Sequence, residues 1–348
     1  MKARSVLVVV HESLVPPSDI SGLSEQKIDE FRTERDVIEG LRALGHQVEV
    51  LGLLDSLSPL RRALTERKPD VVFNLLEEFN GIVTYDQHVV AYLELMRQPY
   101  TGCNPRGLLL SRDKPLAKKL LAYHRIPSPR FMVLRKGARF RLPRELAYPL
   151  IVKSATEDAS LGIAQASVVS DPVHLKERME FIHSQIGTDA LVEEFIDGRE
   201  LYVGVMGNDR LSTLPPWELH FGSMGDTPGA ATHPIATRKV KWDRGYQTRH
   251  GITRGAATDL PKAVLERLQR AAKRTYRTLG LSGYARMDFR LRADGEVFLL
   301  EANANPCLAA DDDFARSADS AGLDYLALLT RILALGVGYQ AEWRTGYR

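Results

Sequence analysis

Two acids and an amide fall on one face of a β-hairpin near the C-terminus. Ala285-Arg286-Met287-Asp288-Phe289-Arg290-Leu291 and Val297-Phe298-Leu299-Leu300-Glu301-Ala302-Asn303 flank the turn Ala293-Asp294-Gly295-Glu296. Asp-Gly is preferred in two-residue primed turns, because Gly accepts positive φ and the turn's twist matches that of the strands. Such a turn sets Asp288 opposite Glu301 and Arg286 opposite Asn303, with Met287, Phe289, Leu291, Phe298 and Leu300 on the other face. Carboxylates directly opposed across strands are unfavourable by roughly 0.2–1 kcal/mol unless compensated. A divalent cation compensates them: hard ions such as Mg2+ take oxygen ligands, commonly one or two carboxylates plus phosphates, so Asp288, Glu301 and the Asn303 amide oxygen form a ligand set. The same residues also suit a solvated strand face whose acids pair with Arg290 and Arg292, and the hairpin alone leaves both readings open.

Two more segments could meet an anionic ligand. Tyr148-Pro149-Leu150-Ile151-Val152-Lys153 is an apolar strand ending on lysine, followed by the small-residue loop 154–162. Backbone N–H groups in such a loop make a nest for phosphate and the ammonium is a point charge, although many strands end on lysine. Leu191 to Glu200 joins a strand through Asp197-Gly198 to the strand Leu201 to Met206. Its acids could accept from an adenine amino group or ribose hydroxyls, or form a solvated edge.

The elements that must position these groups alternate. Ser5 to Val10 reads as a buried parallel strand, Glu34 to Leu44 as an amphipathic helix stopped by Gly45, and Gln47 to Leu51 and Asp70 to Asn74 as further strands. Ligands of such sheets meet the carboxyl ends of the strands, which places His11-Glu12 and Asn74 to Glu78 on a candidate binding edge. Ser111 to Lys114 caps a helix to about Tyr123, Pro127 and Pro129 break the chain before a strand at Arg130 to Leu134, and Lys262 to Leu279 is a packed helix between Pro261 and Gly280.

Composition sets the frame: 348 residues, 44% hydrophobic and 26% charged, suffice for two or three cored domains. A net charge of +3 with no basic, aromatic-interleaved stripe argues against nucleic acid. Cys103 and Cys307 make no disulfide framework, and Val6 to Val10 is too short for a signal or membrane span, so a cytoplasmic protein is expected. The histidines show no spacing for a transition metal.

Taken in order, Lys114, the PLIVK segment ending at Lys153, VEEFIDGRE, ARMDF and EANANP resemble the ATP-grasp ligases, most closely the D-alanine–D-alanine ligase family, from Asp70 to Leu335. The resemblance implies an ATP-grasp fold of α/β and α+β parts in three domains: residues 1–105, a parallel α/β domain; 106–195, a central subdomain; and 196–348, a subdomain with metals and lid. It implies that Lys114 and Lys153 hold nucleotide phosphates, with Ser160 and Gly162 in the phosphate loop. Glu193, Glu194, Phe195 and Ile196 would read adenine and Glu200 the ribose. Asp288, Glu301 and Asn303 would ligate two Mg2+ ions, Mn2+ being an alternative, Arg286 would steady an oxyanion, and Lys241 belongs to a lid within about Leu219 to Arg254.

The implied activity is ATP-dependent ligation of a carboxylate to an amine through an acylphosphate, with small-molecule substrates that are amino acids or a short peptide, in a chain expected to form a homodimer. D-alanine–D-alanine ligation itself and a non-ligating nucleotide binder are the alternatives. The chain departs from the family pattern at its substrate end. His11-Glu12 replaces a Gly-Gly-x-Ser-x-Glu-Arg signature, Trp242 a tyrosine, Cys307 a glycine, and Asp311 to Arg316 the segment with a carboxylate-binding serine. His11, Glu12, Trp242, Cys307 and Arg316 are therefore the candidate substrate residues. Glu157 and Asp158 put acids in the phosphate loop, facing either away or toward a cationic group; Arg316 would receive a carboxylate or pair with the neighbouring aspartates.

Overall fold

A computed structural model describes residues 2–138, 142–156, 162–224 and 233–341. Strands β1 (Ser5–His11), β2 (Gln47–Leu53) and β3 (Val71–Asn74) form a parallel sheet in the order β2-β1-β3. Val6 to Val10 of β1 are at most 2% exposed. Leu7 and Val9 join one apolar cluster while Val6, Val8 and Val10 join another, which is why the run is continuously hydrophobic. The helix Arg32–Ala43 covers one face with Val37, Ile38 and Leu41. Against it lies the helix Tyr325–Gly338, so close that a Cβ on Gly40 would stand 2.4 Å from Leu329 Cδ1.

The second sheet is antiparallel, β4-β7-β5-β6, from β4 (Phe131–Leu134), β5 (Leu150–Ser154), β6 (Val168–Val169) and β7 (Ala190–Glu194). Its core, including Leu150, Val152, Met179 and Val192, is its own. The third sheet runs β11-β10-β8-β12-β13, with β9 also paired to β8; its strands are β8 (Arg199–Met206), β9 (Ser212–Thr213), β10 (Trp217–His220), β11 (Thr253–Ala256), β12 (Tyr284–Leu291) and β13 (Val297–Asn303). This sheet shares both of its large cores with the first. Leu201, Val203 and Phe289 pack with Leu7 and Val9, and Met206, Tyr284 and Phe314 pack with Val6 and Val8.

The hairpin keeps the expected pairs Arg286 with Asn303 and Asp288 with Glu301 but reaches them differently. The turn is a three-residue loop, Ala293 to Gly295, closed by Arg292 N–H to the Glu296 carbonyl, with Gly295 at φ +83°. That loop shifts the register by one, and a bulge beyond Phe289, which pairs with Leu299, shifts it back. As a result Val297 and Leu299, at 4% and 1% exposure, face the core, and the expected Phe298 and Leu300 are only half-buried. The helix expected to be capped from Ser111 spans Lys114–Tyr123, and its cap is Asp113, whose side chain accepts from Leu116 N–H.

Phe289 is fully buried where the cores of the first and third sheets meet. Phe289→Ala is expected to lower stability by about 3–5 kcal/mol in urea unfolding; a loss below about 1 kcal/mol would mean that the junction is loosely packed.

Candidate active site

Alternation on the third sheet separates core from chemistry. Leu201 and Val203 of β8 and Met287 and Phe289 of β12 enter the core, so Glu200, Tyr202, Arg286, Asp288 and Arg290 share the opposite face. Register sets Arg290 beside Glu200 and Asp288 beside Tyr202. Arg286 holds both oxygens of Asp288 at 2.8 and 2.9 Å and lies over the Tyr202 ring, 4.5 Å from its centroid. Glu200 accepts from Arg290 at 2.5 Å and from the Tyr202 hydroxyl at 2.9 Å. Asn303 accepts the Asn305 N–H at 2.9 Å. Glu301 has no ion pair or side-chain hydrogen bond among the described residues.

The second sheet supplies cations. Lys114 opens its helix with its N–H on the Ala155 carbonyl, and Lys153 lies near the end of β5. Lys118 and Lys153 each stand 2.5 Å from one oxygen of Glu193, and all three are at most 8% exposed. Burial pushes Lys153 down to about 8 against the pull of Glu301, and burial beside Lys153 pushes Lys118 well below the usual lysine range. Burial would raise Glu301, but Lys114, Lys241, Lys153 and Arg286 together hold it at about 2. Burial lifts Asp288 above its usual value even against Arg286, with Glu301 adding to the rise.

A cover lies over this face. The helix Arg238–Trp242, capped by the Thr237 hydroxyl on Val240 N–H, buries Val240 against Tyr202, Leu219 and Ile252. Arg254 and Gln247 donate to the Lys241 carbonyl, and Gln165 exchanges two hydrogen bonds with the His233 backbone, tying the cover to the second sheet. Lys241 contributes to the charge balance of Glu301, Asp288 and Lys153, whereas Trp242 is 58% exposed.

Of the remaining candidates, Glu193 turns its side chain to the lysines, Glu194 and Phe195 donate their N–H groups to Arg130 and Pro149 carbonyls, and Ile196 is buried. Gly162 has φ +72°, suiting a phosphate-loop glycine; Ser160, Glu157 and Asp158 lie outside the described residues. His11 stands 3.3 Å from Glu78, with its other ring nitrogen 2.7 Å from the Ser13 hydroxyl; Glu12 is exposed. The Cys307 thiol, pushed well up by burial and Asp312, sits 3.2 Å from the Thr33 hydroxyl as a wall residue. Arg316 is a correction: the helix Asp313–Ser320 buries Asp313, Phe314, Ser317 and Ala318, which leaves Arg316 on its solvent face. Arg254 meets Asp313 and Asp312 instead, at 3.5 and 4.0 Å, and Arg32 meets Asp311.

Sequence reasoning missed Lys118, Tyr202, Arg254 and Glu34. Lys118 is one helical turn from Lys114 and Tyr202 two residues from Glu200, spacings that place each on the same face as its partner. Arg254 and Glu34 carry no such signal.

Two lysine-bearing elements and a carboxylate hairpin, gathered under a cover across an antiparallel sheet pair, define an ATP-grasp protein. The D-ala D-ala ligase C-terminus family model matches residues 120–334. The chain belongs to the D-alanine–D-alanine ligase family. A D-alanine–D-alanine ligase of Nitratidesulfovibrio vulgaris strain DP4 is 32% identical over 316 residues, covering 91% of this chain and 96% of that one. An uncharacterized protein of Sinorhizobium fredii, y4sG, is 31% identical over 312 residues, covering 87% and 86%. The crystal structure of D-alanine–D-alanine ligase from Bacillus anthracis superposes with TM-score 0.74 at 22% identity, covering 96% and 97%, and so shares the fold. Among the described residues no single helix is long and apolar enough to cross a membrane.

Glu34 is 6% exposed in the first turn of the helix Arg32–Ala43. Burial lifts its carboxyl to about 7 from a usual 4.5, with Glu77 adding to the rise and only its own backbone N–H opposing. Between those values the folded chain keeps a proton that the unfolded chain releases, so this group makes stability fall as pH rises through that window. Glu34→Gln is expected to be more stable than wild type by about 3 kcal/mol near pH 8 and equal to it near pH 4, by urea unfolding at both. An equal loss of stability at both pH values would refute the assignment.

Proposed function

We propose that this chain joins a carboxylate to an amine at the expense of ATP, through an acylphosphate, with amino acids or a short peptide as substrates. The convergence of Lys114, Lys153, Lys241 and Arg286 on Glu301, beside Asp288, carries the reading. Five groups from separate elements, Lys114 and Lys153 buried and Lys241, Arg286 and Glu301 half-buried, compensate one another and suit a polyanion and the charge that develops on its transfer.

The donor set fits Mg2+ because Asp288, Glu301 and Asn303 offer only oxygen ligands. Glu301, among the described residues, also has no direct pairing that a cation would have to displace. Among the described residues no group of three His, Cys, Asp or Glu side chains is poised around one metal position, so phosphate oxygens must complete the shell. When bound, Mg2+ neutralises charge on the transferring phosphate.

Lys114 and Lys153 orient the nucleotide phosphates, and Lys241 closes from the cover. A substrate carboxylate oxygen attacks the γ-phosphorus as the bond to ADP breaks. The neutral amine nitrogen then attacks the acyl carbon, Arg286 meets the oxyanion, phosphate departs, and the amine proton is lost. Acylphosphates hydrolyse readily, which gives the packed cover around Val240 its use. Ligation of D-alanine to D-alanine is a second reading, favoured by the named relative at 32% identity. Against it stand Asp312 and Asp313, acids beside the site where a substrate carboxylate would need a cation or a hydroxyl.

ADP release should require Mg2+ and pairs of D- or L-amino acids or dipeptides, with a product mass equal to the two substrates minus water. Glu301→Gln and Asp288→Asn are each expected to lower turnover at least about 100-fold with unchanged circular dichroism. Full turnover in either variant would remove that residue from the metal set.

A further inference from the structure

Tyr202 stands in the middle of the chemical face of the third sheet and touches groups with different duties. It lies directly opposite Asp288 of β12 and Trp217 of β10, and Arg286 is its diagonal neighbour on β12. Side chains on such a diagonal meet when they are long or aromatic. Tyr202 is 3% exposed and belongs to the apolar cluster with Val240 of the cover, Leu219 and Ile252. Its hydroxyl donates to one oxygen of Glu200 at 2.9 Å, while Arg290 donates to the other at 2.5 Å. Arg290 is itself fixed by the Gly198 and Pro234 carbonyls. A carboxylate offers about four lone-pair sites, so each oxygen of Glu200 keeps one after these two bonds, a pair of acceptors that fits a vicinal diol. The face of the Tyr202 ring carries the Arg286 guanidinium, 4.5 Å from the centroid. Asp288 also holds Arg286, through both oxygens, but Asp288 stands in the proposed metal set and would share those oxygens with a cation. The ring contact is not shared.

We propose that Tyr202 is a positioning residue for both halves of the reaction: its hydroxyl sets Glu200 to accept from the nucleotide's ribose, and its ring fixes the guanidinium of Arg286 for the oxyanion. That the diol is a ribose and that Arg286 meets an oxyanion both rest on the ligase reading. Tyr202 itself touches no reacting atom. An acid for the ribose and an arginine for the oxyanion that share one side chain are held at a constant offset, and a tyrosine supplies both a donor at its tip and a π face on its body. The two parts are separable, because Tyr202→Phe removes only the donor, whereas Tyr202→Met removes the π face as well and keeps an apolar filler.

Two measurements on the full chain test this role. The first is calorimetric binding of ATP, 2′-deoxyATP and 3′-deoxyATP in the presence of Mg2+. Wild type is expected to prefer ATP to both deoxy forms, since a buried acceptor left unpaired rejects an analogue that lacks the hydroxyl. In Tyr202→Phe that preference should shrink by roughly fivefold or more, chiefly through weaker binding of ATP. An absent preference in wild type, or an unchanged one in Tyr202→Phe, overturns the proposal, because a loss of structure alone weakens all three nucleotides alike. The second is ligation kinetics with paired amino acids. Tyr202→Phe should raise the KM for ATP more than it lowers kcat, and Tyr202→Met should lower kcat by a further factor of roughly ten or more. Tyr202→Leu takes the place of Tyr202→Met if circular dichroism shows the latter unfolded. Equal kcat in the Phe and Met variants overturns the hold on Arg286. Loss of the ribose preference in Tyr202→Phe without ADP release from any pair upholds the role at Glu200 and sinks the ligase reading, and the role at Arg286 falls with it.

Discussion

One carboxylate is the common electrostatic partner of four cations. Lys114 comes from a helix start, Lys153 from the second sheet, Lys241 from the cover and Arg286 from the third sheet, and all four act on Glu301. Among the described residues none of the four forms a direct ion pair with it, so the effect is the sum of longer-range attractions in a partly dehydrated site, together enough to outweigh the desolvation of the acid. The dependence runs both ways, because burial already has Lys153 down to about 8 and Glu301 is the strongest influence keeping it up. The second sheet has an apolar core of its own, so charge and the hydrogen bonds between Gln165 and the His233 backbone join it to the cover, while the cover packs on the third sheet through Val240, Tyr202 and Leu219. The first and third sheets have the opposite relation, with common cores that fix the hairpin against β1.

Periodicity made the hairpin's chemical face legible, since alternation fixes which residues share a side once one pair is known. The pairing of Asp288 with Glu301 was readable, but the route to it was not. A three-residue loop and a later bulge cancel, and nothing local in Leu299-Leu300-Glu301 marks the extra residue. The same cancellation moved the core positions of β13 from Phe298 and Leu300 to Val297 and Leu299. Lys118 was within reach of helical spacing, but the Glu193 carboxylate that it meets comes from β7, more than seventy residues on. Arg254 and Arg32 were beyond reach, because which arginine takes the aspartates at 311 to 313 depends on how three distant segments pack. Arg316 was favoured only by being near them in sequence, and the helix phase turned it to solvent.

The site is divided by sign. Cations face it from the second sheet and the cover, while acids gather at the carboxyl edge of the first sheet and in the turn after β13. Left to themselves, opposite charges this close in sequence and space would pair and fill the space between them. Assigned partners prevent it: Arg254 meets Asp313 and Asp312, Arg32 meets Asp311, and Arg286 takes both oxygens of Asp288. Even so, burial with Asp312 nearby keeps Asp313 up at about 6 in spite of Arg254, so the acidic side is poorly neutralised. A polyanion suits the first side and is repelled by the second. On the ligase reading proposed above, a substrate carboxylate that enters between them is drawn toward the cations and away from Asp312 and Asp313. On that reading the separation of charge presents a carboxylate oxygen to the transferring phosphate, so the polarity of the site contributes to the alignment that phosphoryl transfer needs.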